Sequence, residues 1–231
     1  MEKKLVFLIL TACFSLCNAF AAYNPTAYYT VDGETMETTD AIMDAQAPLE
    51  VTFKANPDED NPIVGYEWRF RRSEEQQPFM TRHEETTVYT FSESGQTIVE
   101  LYITENGVTD EVPIATITVS ISNSFLDMPN AFSPNGDGVN DIYKAKASHK
   151  SIIEFHAYIF NRWGQKIFEW TDINSGWDGT WNGKQVKDGT YFVLVKAKGA
   201  DGRKYNIKKD VNILRKYYEG EKILEHMQIL N

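Results

Sequence analysis

The fold of this chain is best approached from one stretch of sequence, Pro129-Asn130-Ala131-Phe132-Ser133-Pro134-Asn135-Gly136-Asp137-Gly138-Val139-Asn140-Asp141. Its thirteen positions hold two prolines, two glycines and five Asn or Asp residues. Proline lacks a backbone donor, and short Asn and Asp side chains compete for backbone N–H groups, so neither a helix nor a central strand tolerates this composition. The stretch predicts a rigid, oxygen-rich loop at the entrance to a domain.

A series of β signals follows this loop. Residues 153–160 alternate, with Ile153, Phe155, Ala157 and Ile159 on one face and Glu154, His156, Tyr158 and Phe160 on the other. Further strands are predicted at 165–170, 190–197 and 205–214. The turns between them are Asn161-Arg162-Trp163-Gly164, the aromatic segment 177–183, Lys187-Asp188-Gly189 and Gly199-Ala200-Asp201-Gly202.

The residues before Asn123 predict a separate β-domain. Period-2 alternation or β-rich composition marks strands at 49–54, 63–70, 88–91, 97–103 and 114–121. Several short strands at this spacing suggest a β-sandwich. The predicted fold class is therefore all-β, with two tandem Ig-like β-sandwich domains after an N-terminal signal peptide.

The second domain resembles a known family. Three segments carry the resemblance besides the opening loop: 158–168, 177–191 and 211–215. They resemble the gliding-motility-associated C-terminal domain of Bacteroidetes, the type B sorting domain of type IX secretion. A more distant resemblance is to the Ig-like domain of the flagellar hook-cap protein. The sorting-domain signature comprises Pro129, Asn130, Phe132, Pro134, Asn135, Gly136, Asp137, Gly138, Asn140, Asp141, Asn161, Arg162, Trp163, Gly164, Trp177, Asp178, Gly179, Asp188, Gly189 and Tyr191.

The first domain resembles a PKD domain, an Ig-like module of cell-surface proteins. The resemblance rests on 47–53, on Gly65-Tyr66-Glu67-Trp68-Arg69-Phe70, and on Tyr89-Thr90-Phe91 before Ser94-Gly95. It departs after Trp68, where Arg71-Arg72-Ser73-Glu74-Glu75 replaces the acidic turn of the family. Trp68 is predicted to be a core residue rather than a platform for a ligand.

The ends of the chain carry further predictions. Residues 1–21 have the charged start, apolar run and Ala19-Phe20-Ala21 site of a signal peptide cleaved after Ala21. Two alternatives stay open: a membrane anchor, and lipidation of Cys13 in the lipobox-like Leu10-Thr11-Ala12-Cys13. The domains are then 1–21, 22–123, 124–215 and a tail at 216–231. In that tail Ile223, Leu224, Met227 and Leu230 fit one face of a short helix.

Composition excludes several classes of function. Asp and Glu number 33 against 23 Lys and Arg, which argues against nonspecific nucleic-acid binding. Both cysteines, at 13 and 17, lie in the predicted signal peptide, so a mature chain without them has neither a disulfide framework nor a cysteine metal site.

The opening loop raises the question of calcium. Asn135, Asp137, Asn140 and Asp141 offer hard oxygen ligands at a spacing that resembles dockerin-type calcium loops. The loop lacks a leading acid, since Ser133 stands there, and no Glu follows at the EF-hand spacing. The alternative is a network of Asx turns that closes the loop on its own backbone amides. No other cofactor is predicted.

The chain is not predicted to be an enzyme. His83, His149, His156 and His226 are scattered without metal spacing, and neither a nucleophile elbow nor a phosphate loop is present. The resemblance implies recognition by the type IX machinery and display at the cell surface or release, with a binding or spacing role for the PKD-like domain. One alternative is a periplasmic or lipid-anchored structural component of the outer envelope. A more remote one is a carbohydrate-binding module that uses Trp163, Trp170, Trp177 and Trp181.

Overall fold

The computed structural model describes residues 23–57, 65–105 and 107–216, and within them it is all-β. The strands of the first unit are β1 Thr26–Val31, β2 Glu34–Thr38, β3 Ala41–Ala45, β4 Leu49–Lys54, β5 Gly65–Arg72, β6 Met80–Arg82, β7 Thr86–Phe91, β8 Gly95–Glu105, β9 Val108–Thr109 and β10 Ala115–Ile121. Those of the second are β11 Ala131–Phe132, β12 Ile152–Phe160, β13 Lys166–Trp170, β14 Thr180–Trp181, β15 Lys184–Gln185, β16 Gly189–Gly199 and β17 Lys204–Ile213. The predicted all-β class is confirmed.

The first unit is a sandwich of two sheets. One sheet has the order β2-β1-β4-β7, and the other has the order β3-β10-β8-β5-β6 with β9 paired to β8. Strand β3 pairs parallel with β10, while the other pairs are antiparallel. Two sheets facing each other over one core are compatible with the PKD-like resemblance.

The core of this sandwich follows from the alternation in its strands. In β4, Leu49, Val51 and Phe53 are buried while Glu50 and Lys54 are exposed. Phe53 meets Trp68 from the facing sheet with ring centroids 5.9 Å apart. Trp68 is fully buried, and its indole N–H donates to the Glu84 carbonyl at 3.0 Å. It is a core residue, as predicted.

The second unit is built on one five-stranded sheet of order β11-β17-β16-β12-β13. Its inner face carries buried aliphatic residues, among them Ala157, Ile159, Val193, Val195 and Val211. The layer that covers this face is mostly irregular chain, and the two-stranded β14–β15 hairpin is its only further sheet in residues 124–216. The loop-rich sequence of 126–146 and 171–188 explains this, since aromatic residues placed in turns complete the core.

The two units contact each other at a defined junction. Ser151, 1% exposed, accepts the Ala47 N–H on its Oγ at 3.2 Å and lies 2.8 Å from Ser122 Oγ. Ala200, in the β16–β17 turn, is buried with the core of the first unit, and its carbonyl accepts the Ser94 N–H at 3.1 Å. The junction therefore lies at the Gly199 end of β16.

One detail of the predicted alternation was wrong. Ile153 was placed on the same face as Phe155, Ala157 and Ile159, but the pairing of β12 with β16 shifts register between Ile152 and Glu154. The irregularity lets Ile152 pack on the second core and turns Ile153 toward the core of the first unit. Contact with a second domain thus overrides the period-2 pattern at the start of the strand.

Some predictions fall outside the described residues. They are the signal peptide at 1–21, lipidation at Cys13 and the helix in the tail at 217–231. The part of the chain that the structure describes contains no helix with the length and apolar character needed to span a bilayer.

Candidate functional site

The loop of residues 133–141 closes on its own backbone. Asp141 Oδ1 accepts the N–H groups of Asn135 at 2.9 Å and Gly136 at 2.7 Å, and its Oδ2 accepts that of Gly138 at 2.8 Å. Gly136, Gly138 and Asn140 adopt positive φ, so the chain can turn around this carboxylate. One acid thus organises most of the loop.

Neighbouring Asn and Asp side chains complete this Asx-turn network. Asn135 Oδ1 accepts the Asp137 N–H at 3.0 Å, and Asp137 Oδ1 accepts the Val139 N–H at 2.8 Å. Within the described residues no group of three or more His, Cys, Asp and Glu is arranged to hold a metal ion. Calcium binding by Asn135, Asp137, Asn140 and Asp141 stays a prediction, and bound calcium would compete with these amides for the same oxygens.

A cluster of aromatic residues packs beneath the loop. Trp177 is fully buried, with its ring 5.5 Å from Phe132 and 5.2 Å from Tyr191, and its indole N–H donates to the Thr180 carbonyl at 2.7 Å. Tyr143 is also fully buried and donates its hydroxyl to the Pro129 carbonyl at 2.9 Å. Burial raises the pKa of Tyr143 strongly, so it stays a neutral donor.

Arg215 links the segment 211–215 to the segment 177–191. Its guanidinium donates to the carbonyls of Val186 at 2.7 Å and Gly179 at 3.0 Å, and it pairs with Asp188 at 2.5 Å. Asp188 was predicted to be a turn acid, and it is also the partner of this arginine. Gly179 has a φ of +77°, and a Cβ there would lie 3.0 Å from both Arg215 Nη2 and Pro134 Cγ.

The hairpin turn at 161–165 is held by Asn161. The backbone N–H groups of Trp163 and Gln165 donate to Asn161 Oδ1 at 3.0 and 3.1 Å. Gly164 supplies the positive φ of this turn, and the Asn161 side chain contributes as an acceptor. Trp163, 80% exposed, has the Arg162 guanidinium carbon 5.5 Å from its ring.

The remaining signature residues hold strand ends and turns. The Asn130 carbonyl accepts the Asn212 N–H at 2.9 Å, which places β11 beside β17. Asp178 Oδ1 accepts from the backbone and hydroxyl of Thr180 at 2.9 and 2.7 Å, as expected for a turn acid. Gly189 begins β16 with a φ of +135°.

Strand register gathers most of these groups at one end of the sheet. Phe160 lies opposite Phe192, and Gly189 lies opposite Ile213, so the 161–165 turn, Asp188 and Arg215 share the end of β16 remote from Gly199. The charges of Arg215 and Arg162 both act on Tyr191, although burial is the larger influence and raises its pKa. We call this the signature end; the junction with the first unit lies at the other end.

Sequence reasoning missed several residues on which this arrangement depends. Tyr143 was given no role, and Arg215 was named only as the end of the 211–215 segment, because a single Tyr or Arg carries no periodic signal. Gly176 was also missed: a Cβ there would lie 2.3 Å from the Tyr143 carbonyl oxygen, so the Tyr143–Trp177 bridge requires glycine. Gly176 stands outside any predicted turn, and this position was the clue that the sequence offered to a special role.

One family model matches most of the second unit. Residues 126–211 match the family model of the CHU_C type IX secretion signal domain. This match confirms the resemblance to the sorting domain. A search of curated proteins found no match.

Solved structures give only a loose likeness. They include the chicken CNTN1 FN1-FN3 domains at 11% identity and a TM-score of 0.24, covering 76% of this chain and 68% of that one. Human CDH23 EC21-23 and Drosophila N-cadherin EC1-4, both 11% identical, have TM-scores of 0.22 and 0.19. This chain is covered to 84% in both cases, and it spans 65% and 51% of their lengths. At these scores the fold description rests on the strand pairing above.

Proposed function

We propose that this protein is a noncatalytic cargo of the type IX secretion machinery, displayed at the cell surface or released. The match of residues 126–211 to the secretion signal domain carries the proposal. In this reading the CHU_C domain serves as the address and attachment module, and the PKD-like unit serves as a binding or spacing module.

The geometry of the second unit supports this role. The signature end and the junction lie at opposite ends of β16, an 11-residue strand that spans ~35 Å. A receptor can therefore approach the signature end without meeting the first unit. The signature acids and arginine are engaged in holding turns, which suits a rigid recognition surface better than a reaction centre.

Localisation tests the proposal. We would express the full chain in cells with and without a working type IX translocon, fractionate them, and treat intact cells with protease. Cargo is degraded on intact cells or recovered from the medium only when the translocon works. A periplasmic reporter protein, protected in both strains, controls for leakage.

The opposite result favours the rival reading. Protection from protease and retention in the periplasm or outer membrane of both strains would identify a structural component of the envelope. Palmitate labelling that disappears in Cys13→Ser would then show lipid anchoring.

Glycan binding is a second candidate because two tryptophans remain accessible. Trp163 is 80% and Trp181 36% exposed, whereas Trp177 and Trp170 are buried. Stacking on a sugar requires an exposed face, so Trp163→Ala and Trp181→Ala are the informative variants. Retention on a glycan array that is lost in these variants, with an unchanged melting temperature, would support this function.

A further inference from the structure

The outer face of the second sheet carries an aromatic strip, which consists of Tyr158, Phe160, Phe192 and Leu194. Register places Phe160 opposite Phe192. It also places Tyr158 opposite Leu194, so the four side chains are neighbours on one face. Phe192 is 43% exposed, and it lines a shallow groove with Phe160 and Leu194. A contiguous apolar patch of this kind on a protein surface usually marks a contact surface.

Lysines border the aromatic strip. Register places Lys208 opposite Leu194 and Lys196 opposite His156. Asp210 adds one acid beside the groove. Within the described residues, neither Lys196 nor Lys208 has an acidic group at salt-bridge distance, whereas other lysines of this face are paired. The strip therefore combines aromatic contact area with uncompensated positive charge, which suits a partner that is both apolar and acidic.

The first unit ends in a surface of that chemistry, which we call the acidic tip. It consists of Glu105 and residues 107–114, between β8 and β10. Val108 and Val112 are each 72% exposed. The acids among them, all exposed, are Glu105, Asp110 and Glu111. In the part of the chain that the structure describes, none of these three acids forms a salt bridge.

Backbone hydrogen bonds hold the acidic tip in shape. Strand β9 pairs with the end of β8. The Asp110 N–H donates to the Ile103 carbonyl at 2.9 Å, and the Ile114 N–H donates to the Leu101 carbonyl at 2.8 Å. A surface that is ordered before contact loses little conformational entropy when a partner binds, so a small contact area can suffice for association.

The acidic tip lies too far from the aromatic strip of its own chain to touch it. Strand β8 begins at Gly95, next to Ser94, whose N–H donates to the Ala200 carbonyl at the junction. Its 11 residues span ~35 Å and end at Glu105, so the tip points away from the second unit. The strip lies on the other side of the junction. An acidic tip that meets the strip must therefore come from another copy of the chain.

The charges of the two units favour such a meeting. Residues 124–216 contain 15 Lys and Arg against 10 Asp and Glu, while residues 23–123 contain 5 against 19. The second unit of one copy therefore attracts the first unit of another, and two like units repel each other. This distribution selects a head-to-tail contact over a symmetric one.

We propose that this protein associates head to tail with further copies of itself, the acidic tip of one copy docking on the aromatic strip of the next. Val108 and Val112 supply the apolar contact, and the acids of the tip face Lys196 and Lys208. Because the two surfaces differ, every added copy leaves one tip and one strip open, so association produces chains. The inference goes beyond the proposed function, because it concerns the purified chain and not its route out of the cell.

Sedimentation velocity of the purified chain tests the association. Over about a hundredfold range of concentration at low salt, the weight-average sedimentation coefficient should rise without reaching a plateau at the dimer, as mass action requires for an open chain. About 0.5 M salt should weaken the association, because it screens the attraction between the units. A chain that stays monomeric throughout, or an association that salt does not weaken, would overturn the proposal.

One variant disables each surface. Val112→Ser removes an apolar contact from the acidic tip, and Phe192→Ser removes one from the aromatic strip. Each should raise the dissociation constant about tenfold. Val88→Ser, at an exposed position of β7, is the matched control and should associate as the wild type does. Equal melting temperatures of the three variants show that they fold.

Mixing the two disabled variants identifies the contact as head to tail. The Val112→Ser chain keeps an intact strip and the Phe192→Ser chain keeps an intact tip, so the mixture should form dimers of one chain of each kind and nothing longer. Loss of association in Phe192→Ser but not in Val112→Ser would mean that the strip binds a different surface. That result, or a mixture that stays monomeric, would contradict the proposal.

Discussion

Asp141 holds the 133–141 loop by accepting three backbone N–H groups on its two oxygens. Asp141→Ala should lower the free energy of unfolding by about 1 kcal/mol, since one part-buried and two exposed backbone N–H groups lose a charged acceptor. Asp141→Asn keeps one acceptor oxygen and should lose less. Thermal unfolding followed by circular dichroism measures both.

The same experiment tests calcium. If the amides are the natural partners of the loop, 5 mM calcium should leave the melting temperature of the wild-type chain unchanged, and EDTA should have no effect. A calcium-dependent rise that disappears in Asp141→Asn would instead establish a cation site and would contradict the amide-closed loop as the functional state.

Asp201 gives the β16–β17 turn, next to the junction, a dependence on pH. The pKa of Asp201 is lowered, chiefly because Ser124 Oγ donates to its carboxylate at 2.6 Å, and further because the Arg203 and Ser124 N–H groups donate to it. A lowered pKa means that the folded state favours the carboxylate, so this stabilisation is complete above the unfolded value of about 3.9 and is lost as pH falls through the folded value.

We therefore expect Asp201→Asn to unfold at a lower temperature than wild type at pH 7, and the gap to close toward pH 2–3. The effect is small, since Asp201 is largely exposed and solvent screens it. Asp172→Asn, at a turn acid that accepts one backbone N–H, is the control. A gap that is constant from pH 3 to 7 would contradict the assignment.

The layer that covers the second sheet depends on one close approach between two irregular segments. Tyr143 and Trp177 exchange backbone hydrogen bonds at 2.8 and 3.0 Å, and Gly176 permits this because a Cβ would overlap the Tyr143 carbonyl. Gly176→Ala should cost about 1–3 kcal/mol through forced backbone shifts. Its control is Gly183→Ala, where a Cβ meets nothing within 4 Å and only the positive φ resists.

Urea denaturation of the two alanine variants measures the difference. The near-ultraviolet circular dichroism signal, to which Trp177 contributes, should weaken in Gly176→Ala and persist in Gly183→Ala. Equal losses of stability would mean that the bridge is not a critical contact.

The regular strands were predictable from the sequence, whereas the layer over the second sheet was not. Alternation in residues 49–54 and 190–197 reports which face is buried, because side chains on successive positions point to opposite sides. Tyr143, Gly176 and Arg215 act through single contacts between segments distant in sequence, and no local pattern encodes such pairs. The sequence was enough to recognise the signature turns as turns. It did not show that strand register places them at one end of the sheet.

The junction joins the two units through side chains that pack against the neighbouring unit. Ile153 packs against the core of the first unit and Ala200 lies within it, while Ser151 bonds to Ala47 and Ser122. We expect a single cooperative unfolding transition for the full chain. Ile153→Asp places an unpaired charge in this contact. It should split the transition in two, because one unit then unfolds at a lower temperature than the other.

Scanning calorimetry measures the number of transitions, and Ile142→Asp, at an exposed position of the second unit, is the control. Two transitions already present in the wild-type chain would contradict the coupling. The bulge at Ile153 was beyond sequence analysis, because a residue that belongs to the core of another domain looks the same as one that belongs to its own.

Because the junction is fixed and neither unit contains a cysteine, the chain is well suited to measurements of the distance between the two units. Residues 23–216 contain no cysteine, so two introduced thiols, one in each unit, would carry spectroscopic labels without competing sites. If the junction holds, such a pair reports one narrow distance distribution. A sugar, a receptor or the outer membrane engaged at the signature end would leave that distribution unchanged, and a force applied along the chain would broaden it.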